Sequence, residues 1–369
     1  MAKRENKKLN IAILFGGRST EHEVSLQSAK NVYEAIDKEK YNPILIGIDK
    51  TGRWLLQDSA KYLLNAEDPK LIKLNSSTDN LAIIPQEKGA LINLADTDAT
   101  APKIDVIFPV LHGTYGEDGT IQGLLKLLNI PFVGASVLGS AVSMDKDVTK
   151  RLLRNAGIPI AKFVVLHDPL KASFEEAKRI VGLPMFIKPV NAGSSVGVSK
   201  VKTEKEFNAA VAEAFKYDRK ILIEEYIKGS EIECSVLGNE DPVVSLPGKV
   251  IVNAEFYSYE AKYIDENGAV LEIPAKLDKK TTQKIQEMAI KAYKVLECEG
   301  MARVDFFLKE NNKPVINEIN TIPGFTKISM YPKLWEVSGI SYSDLIDRLI
   351  QLALERHKQA QELSTTSPF

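Results

Sequence analysis

The stretch 302–330 constrains the chain most. It reads Ala-Arg-Val-Asp-Phe-Phe-Leu-Lys-Glu-Asn-Asn-Lys-Pro-Val-Ile-Asn-Glu-Ile-Asn-Thr-Ile-Pro-Gly-Phe-Thr-Lys-Ile-Ser-Met. Two short apolar runs flank Glu310-Asn311-Asn312-Lys313, which has turn composition, so the stretch reads as a β-hairpin. A turn centred between Asn311 and Asn312 sets Asp305 opposite Glu318 and Arg303 opposite Asn320. Side chains alternate along a strand, so these four share one face, and Val304, Phe306, Val315 and Ile319 take the core face. Two carboxylates directly across a ladder repel unless a cation sits between them. Asp305, Glu318 and Asn320 offer oxygen ligands only, which suit Mg²⁺ or Mn²⁺ rather than zinc. A solvated polar face is the plain alternative. The Pro323-Gly324 turn beside the acidic face favours close approach of a ligand.

A chain of 369 residues exceeds what one core usually holds, so two or three domains are expected. The net charge of -1 gives no basic field for nucleic acid. Two cysteines, Cys234 and Cys298, suit a reducing cytosol rather than a disulfide framework. The apolar run 9–15 behind a basic start is too short for a signal peptide or a membrane span, so no membrane partner and a cytoplasmic location are expected. The polar tail after Leu354 is expected to fray, with 359–369 outside the last domain.

Residues 9–15 read as a buried strand running into Gly16-Gly17, followed by a helix to about Ile36. Strand, glycine turn and helix open a doubly wound α/β unit, but GxGxxG is missing, so dinucleotide binding is not supported. Further strands are expected at 41–48, 104–110 and 131–133, and a helix at 120–128. The strand ends bring Glu21 and His112 towards one crevice, although a structural histidine at a turn explains His112 equally well. One helix is expected over 136–156, then strands at 163–166 and 184–189 with a helix at 174–181 between them. The loop Gly193-Ser194-Ser195-Val196-Gly197 joins two strands, unlike a Walker loop, and reads either as a lid that cradles phosphates or as a plain hairpin. Lys188 enters it with a positive charge. A helix at 204–215, strands at 220–227 and 231–237, a polar aromatic loop at 256–263, and helices at 279–296 and 342–356 complete the reading.

Taken in order, these motifs resemble the D-alanine–D-alanine ligase family of the ATP-grasp superfamily. The residues concerned are Gly16-Gly17 with Glu21-His22-Glu23-Val24-Ser25, His112-Gly113 with Gly116-Glu117-Asp118-Gly119, Met144-Asp145-Lys146, Lys188-Pro189 and Gly193–Gly197. Tyr259-Glu260-Ala261-Lys262-Tyr263, Arg303-Val304-Asp305 and Asn317-Glu318-Ile319-Asn320-Thr321 follow. Ile322 stands where many relatives carry Ser. The resemblance implies an α/β (α+β) ATP-grasp fold of three domains: an N-terminal doubly wound α/β domain at 1–135, and central and C-terminal ATP-grasp domains at 136–228 and 229–358.

It also implies that Lys146, Lys188 and Lys262 serve the phosphates, with Ser194 and Ser195 in the lid. Glu224, Glu225, Tyr226 and Ile227 would line adenine and Glu231 the ribose. Two Mg²⁺ or Mn²⁺ ions would lie on Asp305, Glu318 and Asn320. Glu21 would hold the first D-alanine and bond through Ser194 towards Tyr263, with His112 nearby. Ser329 and Met330 would receive the second substrate, and Arg303 with the Gly324 N–H would stabilise an oxyanion. The reaction implied is ATP-driven joining of two D-alanines through an acyl phosphate, for the peptidoglycan of the cell wall, by a homodimer. Alternatives are a D-alanine–D-lactate ligase, whose relatives place Phe where Tyr263 stands, and a non-catalytic ATP-binding module.

Overall fold

The computed structural model describes residues 7–77, 80–83, 91–93, 103–252 and 269–364. Three main sheets organise them. In the first, β1 (Leu9–Gly16) lies parallel to β2 (Tyr41–Ile48), β3 (Trp54–Gln57) pairs antiparallel with β2, and β4 (Val106–Pro109) runs parallel on the other side of β1. Ile11 to Phe15 are fully buried, as expected of a parallel strand covered on both faces. Gly16 and Gly17 have φ of 90° and 97°, and a Cβ on Gly16 would lie 2.2 Å from the Ile48 carbonyl oxygen. That turn delivers the chain to α1 (His22–Ala35). Ser25 Oγ accepts from Gly16 N at 2.7 Å and donates to the Val110 carbonyl at 2.5 Å, tying α1 to two strand ends.

After β4 come α2 (Thr120–Leu127), α3 (Val137–Met144) and α4 (Lys146–Asn155). The single helix expected over 136–156 is therefore two. Asp145 is extended, at φ -79° and ψ 99°, and its carboxylate accepts from Val148 N at 2.9 Å. It is an N-cap, the position that short acidic side chains favour. The strand expected at 131–133 is a single bridge from Ile107 to Phe132.

The second sheet is antiparallel. It contains β5 (Phe163–Leu166), β6 (Met185–Pro189), β7 (Ser199–Val201) and β8 (Ile221–Glu225), in the order β7-β6-β8-β5. Helices α5 (Phe174–Val181) and α6 (Glu204–Ala214) cover it, the latter opened by a Thr203–Glu206 capping box. In the third sheet, β9 (Gly229–Gly238) pairs with β10 (Gly248–Val252) and with β12 (Gly300–Lys309). The edges are β11 (Ala269–Glu272) and β13 (Pro314–Asn320), and α7 (Lys279–Val295) packs on one face. Helices α8 (Met330–Val337) and α9 (Tyr342–Gln361) close the chain. Helix α9 runs past its expected end at Arg356 to Gln361, whose Nε2 donates to Asn129 Oδ1 at 2.7 Å.

The cores divide unevenly. Ile11, Ile13 and Phe108 of the first sheet share one core with Phe325, Tyr331, Trp335 and Leu349. The second sheet has its own core around Ile187, Phe207 and Ile223. Leu153 of α4 and Ile158 join the third-sheet core with Val304 and Ile316.

His112 is one pin between the N-terminal unit and the segment after β13. Its Nδ1 lies 2.9 Å from the Ile322 carbonyl and its Nε2 2.9 Å from Ser28 Oγ. Burial, opposed by the Ile322 hydrogen bond and helped by Arg303, pushes the imidazole down to about 4. The folded state thus resists a proton that the unfolded chain accepts near 6.5, so the contribution is complete above 6.5 and is lost as pH falls towards 4. Stability to urea should fall on acidification from pH 7 to 4.5, with His112 contributing on the order of 2 kcal/mol. His112→Asn should flatten that part of the slope; identical slopes for both proteins would contradict the assignment.

Candidate active site

The hairpin of β12 and β13 has the expected register, Arg303 opposite Asn320 and Asp305 opposite Glu318. Below that rung the register shifts by one residue, so Phe306 pairs with Ile316 and Phe307 with Val315. This bulge leaves Asn317 unpaired in the ladder and corrects the expected core face. Ile316, not Val315, packs with Val304, Phe306 and Ile319, and Val315 shares the site face with Phe307.

The neighbouring strand adds a group that the sequence reading missed. Glu233 of β9 pairs with Asp305 from the other side, so three carboxylates cross three strands in a row. Arg303 compensates two of them. Its Nε donates to Asp305 Oδ1 at 2.7 Å and lies 2.9 Å from Glu233 Oε2, while Nη2 donates to Asp305 Oδ2 at 2.7 Å. Asn320 Nδ2 also donates to Asp305, at 3.0 Å. Lys146 approaches Glu318 at 3.7 Å.

Two cavities meet at Glu318. The smaller, about 50 Å³, is polar and is lined by Glu21, Glu117, Lys146, Ser194, Arg303 and Asn320 among others. The larger, about 460 Å³, lies between the second and third sheets. Lys188, Ser195, Glu224, Tyr226, Glu231 and Phe307 are among its walls, as are Glu225 and Ile227. Lys146, Gly193, Ser194 and Glu318 belong to both.

The glycine-rich loop forms this junction. Ser194, Ser195 and Gly197 take φ of 49°, 63° and 68°, left-handed conformations that fold the loop into tight turns in which Val196 N donates to the Gly193 carbonyl at 3.1 Å. Ser194 Oγ donates to the buried Glu21 carboxylate, joining the loop to the N-terminal unit as expected. Lys146, the first residue of α4, is aimed at the same loop because α3 ends at Asp145, and its Nζ donates to the Ala192 carbonyl at 2.8 Å.

Glu117 is a second missed residue. It accepts from Gly113 N at 2.7 Å and Ile322 N at 3.1 Å. Burial, then the nearby Glu21 carboxylate, hold its carboxyl well above the usual range. Glu224 is ion-paired to Lys150 and, at 2.5 Å, to Lys188. Tyr226 packs on Phe186, with the Lys200 ammonium 5.0 Å from its ring centre.

Other expected residues lie elsewhere. Both ring nitrogens of His112 are engaged by the seam, and Gly324, Ser329 and Met330 line neither cavity. Ser329 Oγ is 2.8 Å from Thr326 Oγ1, and Met330 packs with Val250 and Leu334. Lys262 and Tyr263, with the loop 256–263, fall outside the described residues.

Among the described residues no cluster of three or more His, Cys, Asp and Glu side chains forms a ready cation site. The donor set nonetheless suits a hard divalent ion: two carboxylates and an amide oxygen share one face, with Glu318 lining both cavities and Asn320 the smaller.

Comparison with known proteins accords with this geometry. Family models described as the N-terminus and C-terminus of D-ala D-ala ligase match residues 10–135 and 152–351. A D-alanine–D-alanine ligase of Oceanobacillus iheyensis is 56% identical over 361 residues, covering 97% of this chain and 99% of the relative. The structure of the D-alanine–D-alanine ligase from Coxiella burnetii superposes with a TM-score of 0.83 at 43% identity, covering 96% of each chain. A D-Ala:D-Ser ligase from Enterococcus faecalis superposes with a TM-score of 0.82 at 38% identity, covering 94% of this chain and 100% of the other. By sequence and by fold, the chain belongs to the D-alanine–D-alanine ligase family and has the ATP-grasp fold.

Proposed function

We propose that this chain is an ATP-dependent ligase that joins two D-alanines through D-alanyl phosphate, supplying a peptidoglycan precursor in the cytoplasm. The observation that carries the reading is the junction. A nucleotide-sized cavity opens at Glu318, Lys146 and Ser194 into a small polar one headed by Glu21 and Arg303. A γ-phosphate at that junction would meet a carboxylate held in the smaller cavity.

Phosphoryl transfer depends chiefly on position and charge neutralisation. Lys146 and Lys188 bring two ammonium groups to the larger cavity, with Lys262 as the third expected. Tyr226 and Ile227 offer apolar surface to a base and Glu231 a carboxylate to a ribose. Asp305, Glu318 and Asn320 would hold Mg²⁺ or Mn²⁺, which when bound supplies charge neutralisation at the phosphates. Arg303 must then share its grip on Asp305. Glu21 receives the ammonium of the first D-alanine. The second amine attacks the acyl carbonyl, a carbon–nitrogen bond forms as the carbon–oxygen bond to phosphate breaks, and the amine proton is released. Arg303, which lines the smaller cavity, stabilises the oxyanion. Ser194 closes the lid on Glu21 and keeps water from the acyl phosphate.

The functional units are taken as 1–135, 136–228 and 229–358, each holding one main sheet. Assembly as a homodimer is proposed with them, supported by exposed Leu124, Leu127 and Leu138 on and beside α2. The Enterococcus neighbour shows that this fold also carries a D-Ala:D-Ser ligase, so the second substrate is decided by local groups.

Three measurements test the reading. Glu318→Ala should lower kcat at least about a hundredfold in Mg²⁺. Its melting temperature should stay within about 3 °C of wild type, because one of two repelling carboxylates is gone. An active variant would sink the metal assignment. Hydrogen exchange at 193–197 should slow when an ATP analogue and D-alanine are added, and equal exchange would count against the lid. Finally, competition between D-alanine and D-lactate near neutral pH should yield mainly the dipeptide. By the resemblance the Tyr263 hydroxyl would join Ser194 and Glu21, and its loss would leave polar groups short of a partner, at about 1–3 kcal/mol. Tyr263→Phe should therefore shift product towards the ester; mainly depsipeptide from the wild type would overturn the substrate assignment.

A further inference from the structure

Lys150 of α4 lines neither cavity and is fully buried. A lysine in such a place needs a reason, because an ammonium loses its hydration there. Its surroundings form a closed ring. Lys150 is ion-paired to one oxygen of Glu224, and Lys188 Nζ lies 2.5 Å from the other. Asn317, the bulged residue of β13, completes the circuit. Its Oδ1 accepts from Lys188 Nζ and its carbonyl from Lys150 Nζ, each at 3.5 Å. Burial pulls the Lys150 ammonium down and its Glu224 partner holds it up.

The charge count is the informative part. Glu224 is 4% exposed and carries one negative charge between two ammonium groups. Lys188 is the one of the two that reaches the larger cavity. With Lys150 present, the ring carries a net charge of plus one on the cavity side. Without it, Glu224 would neutralise Lys188, and the cavity would face a closed ion pair. In a partly buried site such a difference is felt strongly by a nearby anion.

We propose that Lys150 is a positioning residue: by sharing Glu224, it leaves the Lys188 ammonium uncompensated towards a nucleotide polyphosphate. This rests on reading the larger cavity as the nucleotide site. Lys150 touches no substrate and acts through Glu224 and Lys188. The Asn317 bulge holds the two lysines to the same turn of chain that presents Glu318.

The test is the affinity of the full-length protein for AMP, ADP and ATP in Mg²⁺ by calorimetry, for the wild type, Lys150→Met and Lys150→Met/Glu224→Gln. Met keeps the length and flexibility of the stem, and Glu224 keeps Lys188 as partner. Lys150→Met should weaken ATP by about tenfold, the scale of one charge-assisted contact, ADP by less and AMP least. The double variant again has one uncompensated ammonium. Its ATP-to-AMP affinity ratio should return towards wild type, even if the altered Glu224 weakens all three nucleotides alike. Equal loss for all three ligands in Lys150→Met would make Lys150 a packing residue and overturn the inference, as would no loss. A double variant whose ratio stays low would overturn it too, and this arm remains readable if the single variant folds poorly. A wild type that binds none of the three would overturn the nucleotide reading itself.

Discussion

Asp305 and Glu318 face each other across one rung of an antiparallel ladder, and Glu233 stands beyond Asp305 on the next strand. Like charges so placed repel, and the rest of the site is arranged around that repulsion. Arg303 forks onto Asp305 and reaches Glu233, and Lys146 approaches Glu318. The compensating cations come from different places. Arg303 is local to the sheet, whereas Lys146 begins α4 and arrives only because Asp145 ends the preceding helix. A site held by balanced charges rather than by apolar packing can exchange one cation for another, which is what the proposed metal and polyphosphate binding would require of it.

The hairpin was legible because strand alternation and a polar four-residue turn are local signals, and its register followed from them. The bulge was not. The bulged Asn317 finds its partners in Lys150 and Lys188, more than a hundred residues earlier, and no local signal announces them. The same bulge moved Val315 to the site face, since a strand's face flips with each residue of register. The break at Asp145 was local in principle, an Asp before a helical run, but apolar residues on both sides made one helix the simpler reading. Glu117 and Glu233 were missed for another reason. Each sits in an ordinary turn or strand, and its significance lies in what the fold sets opposite it.

His112 shows how the two levels divide. The sequence placed it at a strand end beside a glycine turn and left open whether it served ligand or structure. Its two ring nitrogens are spent on Ser28 and Ile322, so its visible work is to fix the N-terminal unit to the segment after β13. That seam has an apolar centre, with Phe325 packed against Phe108, Tyr331 and Tyr342, and polar ties around it such as Asn31 Nδ2 to the Phe325 carbonyl at 2.9 Å. The carboxylate of Glu117 bridges the same seam through Ile322 N. Glu21 and Arg303 therefore stand on two units joined through a shared core.

The central sheet is attached differently. Its core is its own, and its ties to the site are mostly charged or hydrogen-bonded. Lys220 pairs with Asp145 at 2.6 Å and Asp147 at 3.3 Å, Lys188 and Glu224 join the Lys150 ring, and Ser194 meets Glu21. Apolar seams resist opening in proportion to buried area, whereas charged seams answer to any new charge placed between them. A polyphosphate entering the larger cavity would fall among Lys146, Lys188 and the glycine-rich loop, at the place where the central sheet is held by charge. On the proposed function, the unit that would close over an acyl phosphate is the one whose attachment a nucleotide could alter. The two units that would align the reacting groups are joined by a core that lies apart from the larger cavity.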